Sequence, residues 1–211
     1  MRNGDNPANW RGMMEYRFPR SKKIINNHYT AMAYSQVPGL MRALVVRQVR
    51  SAGAMALQFL ILTAARTGEV LRMKWDEVDW DQRLWTLSAM RTKQGRPHQV
   101  PLSDQAIAIL QARHERTRSV YVFSGYKRSQ LSDKSMLHVL KAVGVKVTVH
   151  GCRSSFRDWC GDETEFAREH VESCLGHAVG NGTEQAYRRS TALEKRRVIM
   201  DAWASYCHDN R

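Results

Sequence analysis

Residues 51–65, SAGAMALQFLILTAA, form the longest uncharged, apolar-leaning stretch of the chain. It is interrupted by Ser, Gly, Gln and Thr and falls short of the roughly 20 apolar residues that a membrane span requires. It therefore reads as a helix buried in a protein core, with Met55, Phe59 and Leu62 at helical spacing. The preceding stretch, 38–50, repeats the period through Leu40, Leu44 and Val45, so two packed helices are expected. A chain of 211 residues can bury such a core as a single domain without a disulfide framework.

Around this pair the remaining elements follow from local signals. Residues 1–36 mix Asn, Pro, Gly and charge without period and read as a linker leading into the first helix near Val37, with the folded domain over 37–211. Gly68 is expected to break the second helix, and residues 69–74 to form a short helical turn. WDEVDWDQRLWTLSAM alternates aromatic or β-branched residues with polar ones, turns through RTKQGRP and continues into HQVPLS. That pattern predicts a small antiparallel sheet with Lys93 at a turn. Ser103 should cap a helix to about residue 116, with Ala106, Ile107 and Leu110 inward. Further helices are expected over 132–143, 151–160, 166–174, 183–189 and 193–206. The fold class is α+β: mostly helical, with one small antiparallel sheet.

Composition narrows the partner. Lys+Arg number 33 against 20 Asp+Glu, a formal charge of +13, which attracts polyanions. Cys152, Cys160, Cys174 and Cys207 are few and irregularly spaced, as in a reduced compartment. The N-terminus has no uninterrupted apolar run before a small-residue cleavage site, so a cytoplasmic location and no membrane partner are expected.

Several residues are suited to phosphate chemistry. His150 and Arg153 in HGCR are three apart, so on a helix they share a face. Arg66 in ARTGE has Glu69 one turn on, a carboxylate able to fix a guanidinium aimed at a phosphate. Each is ordinary alone; the order Arg, Lys, His-x-x-Arg, His, Tyr along one chain is not. It resembles the tyrosine recombinase family, specifically the C-terminal catalytic domain of phage-type integrases. The matching positions are Arg66, Lys93, His150, Arg153, His177 in LGH and Tyr187 in EQAYRRS.

The resemblance implies site-specific DNA recombination, in phage or prophage integration and excision, by transesterification without metal or cofactor. Tyr187 would be the nucleophile, forming a 3′-phosphotyrosine. Arg66 and Arg153 would hold the nonbridging oxygens, His150 would accept a proton, Lys93 would protonate the leaving 5′ oxygen and His177 would bond the phosphate. Glu69 supports Arg66, while Arg91, Arg96, Arg188 and Arg189 are candidate DNA contacts. A phenol ionises near pH 10, so forming the phenolate near neutrality costs about 4 kcal/mol, which the neighbouring cations would offset. Gly180, Asn181 and Gly182 are read as the backbone freedom that moves the tyrosine. Implied partners are double-stranded DNA at attachment sites, three further copies in a synaptic homotetramer, and a DNA-bending or excision factor, in a bacterial host cell. The helix at 193–206 docks either on its own core or on a neighbouring protomer.

Three other readings use the same residues. A zinc site from His150, Cys152, Cys160, Cys174 and His177 lacks a second close ligand pair, since only Cys174 and His177 have such spacing. A non-catalytic DNA-binding regulator needs charge but not a nucleophile. A type IB topoisomerase would use similar groups to relax DNA without exchanging partners.

Overall fold

The computed structural model describes residues 31–48, 51–177 and 192–209. Its centre is the apolar stretch. Ser51 accepts a hydrogen bond from the Ala54 N–H at 3.2 Å and so caps a helix over Ala52–Thr63, here α2. Every residue from Gly53 to Thr63 is buried, which requires neighbours on all sides. Those neighbours are α1 (Val37–Gln48), α3 (Thr67–Leu71), α4 (Asp104–His114), α5 (Ser135–Ala142), α6 (Val149–Glu163) and α8 (Leu193–Cys207). A short α7 (Arg168–Cys174) bridges α6 and α8.

The break after α2 lies elsewhere than expected. Ala64, buried and left-handed at φ 47°, ends the helix, whereas Gly68 sits inside α3. Core packing holds an alanine in a backbone conformation that costs an L-residue about 1–2 kcal/mol.

The small antiparallel sheet forms as expected, in the order β1 (Val78–Asp79), β2 (Leu84–Leu87), β3 (His98–Pro101). Trp85 pairs with Val78 on one side and Val100 on the other, and its ring packs on Phe59 of α2 with centroids 5.6 Å apart. Within the β2–β3 connection, Thr92 Oγ1 accepts from the Arg96 N–H at 3.1 Å and donates to the Arg96 carbonyl at 2.7 Å. Lys93 projects from this connection, exposed.

Ser103 caps α4 as expected, accepting from the Ala106 N–H at 3.3 Å. Its buried stripe is Ala106, Ile109, Leu110 and Arg113; Ile107 lies at the edge, as the 3.6-residue period dictates. Thr148 accepts from the Gly151 N–H at 2.9 Å, which starts α6 at Val149 and puts His150 in its first turn. The other end of α6 is aromatic. Phe156 and Trp159 pack on Trp203 of α8 with centroids 5.6 and 5.2 Å apart, and the Trp203 indole donates to the Ile61 carbonyl at 2.8 Å. Helix α8 thus closes this chain's own core.

Residues at the end of the expected linker are docked too. Met32 is buried with its carbonyl accepting from Ser155 Oγ at 2.6 Å, and the Tyr34 hydroxyl donates to Glu163 at 2.8 Å. All four cysteines are free and buried; desolvation raises the Cys152 and Cys160 thiols to about 12, Cys174 to about 11, and Cys207 well above its ordinary value. Among the described residues no helix is long and apolar enough to cross a membrane.

Candidate active site

Arg66 stands at the N-cap of α3, and Glu69 holds it twice. One carboxylate oxygen accepts the Arg66 backbone N–H at 2.9 Å; the other takes the guanidinium Nη1 at 2.9 Å. Glu69 is only 5% exposed, so the pair is rigid as well as charged. The second guanidinium nitrogen, Nη2, reaches the Gly176 carbonyl at 3.5 Å.

Arg153 arrives from α6, 4% exposed, and donates to the Leu175 carbonyl, the neighbour of the one Arg66 contacts. Two guanidiniums from segments far apart in sequence therefore meet at adjacent peptide groups just after α7. Desolvation, and then the nearby Arg66 charge, lower Arg153 to about 10, opposed by Glu69 and Glu172; it stays protonated near neutrality.

His177 completes this corner. Its Nδ1 lies 2.5 Å from Glu172 Oε2, and its Nε2 lies 3.3 Å from Arg153 Nη2. A carboxylate only accepts and a guanidinium only donates, so the neutral ring carries its hydrogen on Nδ1 and offers Nε2 to Arg153. Glu172 is itself paired with Arg157 at 2.9 Å. Gly176, at φ +60°, makes the turn that brings Leu175, Gly176 and His177 around.

The exposed His150 ring faces the same cations. Partial desolvation, then the charges of Arg153, Arg66, His177 and Lys93, in that order, hold its pKa below the ordinary value. Its ring is therefore neutral near pH 7. The Lys93 charge, from the exposed β2–β3 connection, is the last of those felt by this ring. Among the described residues, Arg66 and Arg153 lie near the carboxylates of Glu69 and Glu172, and Glu172 is shared with Arg157, so cations outnumber carboxylates and an anion would relieve the excess.

Arg96 is exposed on the β2–β3 connection. Arg91, expected to reach DNA, is instead committed inside the fold: it donates to the Arg72 and Glu69 carbonyls at 2.6 and 3.0 Å and pairs with Glu77 at 3.0 Å. It ties the connection that carries Lys93 to the helix that carries Glu69. Tyr187, Arg188 and Arg189, with Gly180, Asn181 and Gly182, lie outside the described residues.

Sequence reasoning passed over three participants. Glu172 is a carboxylate five residues before His177; a Glu on the helix leading into LGH was its only signal. Arg196, 3% exposed on α8, donates to the Gln99 carbonyl and bonds the Cys174 thiol. His98 opens β3 against the Leu175–Gly176 turn. A cleft of about 980 Å³ near Gly53, Leu131 and Val139 shares no residue with this site.

The architecture matches solved recombinase structures. A lambda integrase (75-356) dimer bound to a COC′ core site superposes at TM-score 0.55, with 18% identity, over 71% of this chain and 57% of that one. A lambda integrase tetramer bound to a Holliday junction gives 0.53, with 17% identity, over 72% and 48%. The fold is thus that of a tyrosine-recombinase catalytic domain. A sequence model of the phage integrase family matches residues 31–194, and the chain belongs to that family. The integrase of Shigella phage Sf6 is 32% identical over 177 residues, 81% of this chain and 46% of its own length. The chain spans about half the length of the curated relatives it matches.

Proposed function

We propose that this chain cuts and rejoins double-stranded DNA at attachment sites, in phage or prophage integration and excision within the bacterial cytoplasm. The observation that carries the reading is the meeting of Arg66 and Arg153 on adjacent carbonyls, in a site with more cations than carboxylates. A phosphodiester seated there gains fork-like hydrogen bonds to its nonbridging oxygens, which strengthen as a fifth oxygen approaches phosphorus.

Tyr187 supplies that oxygen, and attack forms a Tyr–phosphate bond while the P–O5′ bond breaks. His150, kept neutral by its surroundings, takes the phenolic proton; Lys93 gives one to the leaving 5′ oxygen. His177 bonds the phosphate, oriented by Glu172. The phosphoester energy is retained, so a 5′ hydroxyl from another duplex reverses the step and strands are exchanged without ATP. Exchange requires paired sites, so the working assembly is a homotetramer, helped by an accessory DNA-bending or excision factor. Arg96, Arg188 and Arg189 contact backbone phosphates, and binding weakens with salt. No cofactor takes part.

The test is a pool of nicked duplexes of random sequence, incubated with the chain and run on denaturing gels. A protein–DNA adduct is expected with the wild type and none with Tyr187→Phe, and sequencing the trapped DNA gives the target. Absence of adduct across the pool, or its persistence in the variant, overturns the reading.

A further inference from the structure

Three successive carbonyls at the C-terminal end of α7, Cys174 to Gly176, are each met by a side chain from a different element. Arg153 of α6 donates to Leu175, and Arg66 at the start of α3 donates to Gly176. The third carbonyl, Cys174, faces the His98 ring at the start of β3. These carbonyls form the negative end of α7, where donors are favoured. His98 also walls the turn sterically: a Cβ placed on Gly176 would sit 3.3 Å from the ring's Cδ2 and Nε2. The ring thus stands tight against the turn, and the positive φ of Gly176 also disfavours a side chain there.

We propose that His98 is a positioning residue for strand cleavage, holding the turn from Cys174 to His177 so that Arg66, Arg153 and His177 converge on one phosphate. Its neutrality fits the role. Burial, then Arg196 on α8, and further Arg66 and Arg153, lower its pKa to about 3, against a partial rise from the Cys174 carbonyl. The ring therefore adds no charge to a site already rich in cations and exchanges no proton in the working pH range. The residue acts on the phosphate only through the turn and is not itself catalytic.

This inference rests on the cleavage reading above, so its test has arms that do not need DNA. The probes are inorganic vanadate, a phosphate mimic, titrated by vanadium NMR, and the His177 imidazole, whose ring-nitrogen shifts are read by proton–nitrogen NMR at a single pH. His98→Ala is expected to weaken vanadate binding by about tenfold, the loss of roughly one charge-assisted bond's alignment. It should also move the His177 ring-nitrogen shifts, because the ring's contacts with Glu172 and Arg153 depend on the turn. On a nicked duplex trapped from the random pool, single-turnover adduct formation should slow by roughly 10- to 100-fold, while DNA affinity, set by backbone contacts, changes by less than about twofold. His98→Gln, whose amide can reach the Cys174 carbonyl, should recover most of each loss.

Wild-type vanadate affinity and unmoved His177 ring-nitrogen shifts in His98→Ala would overturn the inference. So would equal losses of DNA binding and cleavage in both variants, tracking lower thermal stability, which is the signature of mere packing. If the wild type forms no adduct at all, the cleavage reading fails, while the vanadate and His177 arms still decide whether His98 sets the turn.

Discussion

The two ends of α6 differ more than any other pair of neighbouring regions in the molecule. Its first turns carry His150 and Arg153 into a cluster of like charges, held by peptide carbonyls and two carboxylates. Its last turns carry Phe156, Trp159 and Cys160 into an apolar stack with Trp203 and Tyr206. One helix thus joins a region whose contacts are mutually favourable to one whose charges repel until an anion arrives. The lesson is a division of labour: the aromatic end stabilises the fold, and that stability allows the cationic end to stay electrostatically unsatisfied.

Substitutions at the two ends should separate accordingly. The largest effect on activity is expected from Arg153→Met, which keeps the stem and removes the charge: single-turnover adduct formation should fall roughly 10²- to 10³-fold. Its urea unfolding free energy should change by no more than about 1 kcal/mol. A stability loss as large as the catalytic one would break the comparison. Trp203→Ala should do the reverse, removing about 3–5 kcal/mol of stability and lowering the thermal midpoint by roughly 10 °C in a circular-dichroism melt. Below that midpoint its affinity for vanadate should match the wild type.

A finer cut comes from Glu172→Gln. Losing the carboxylate that fixes the His177 tautomer should slow adduct formation by about tenfold, a fraction of what a placed acid–base group contributes.

The smallest effect is one of pH on stability. His98 titrates near 3 in the folded chain and near 6.5 when unfolded, so the unfolded chain binds the extra proton between those values. Stability attributable to His98 is therefore intact above about pH 6.5 and is lost progressively as pH falls toward 3. His98→Gln removes that dependence; near pH 5.5 the variant should have lost on the order of 1 kcal/mol less than the wild type, measured by urea titration.

Much of the apolar end was legible from residue order alone. Uncharged residues 51–65 had to be buried, Ser103 had to cap, and the alternation around Trp85 had to pair, because each signal is local. The helix break was not legible. A glycine at 68 is the locally cheaper choice, and only the packed core explains why Ala64 takes the left-handed conformation. At the site, the residue types of the resemblance pointed to Arg66, Arg153 and His177, which the fold gathers. Their supports were invisible because they act across great separations: Arg196 bonds a carbonyl 97 positions away, and His98 lies on a strand read only for its alternation. Arg91 beside Lys93 looked like a second phosphate contact; nothing in its neighbours along the chain foretold Glu77 and the α3 carbonyls.

The four enclosed thiols carry a practical consequence. With their ionisation pushed so far up, almost no thiolate exists near neutral pH, and maleimide reagents should pass the folded chain by. A cysteine introduced at Met90, 98% exposed and three residues before Lys93, would then be the preferred target for a dye without removal of any native cysteine. Fluorescence from that dye would follow the lysine-bearing connection as DNA arrives.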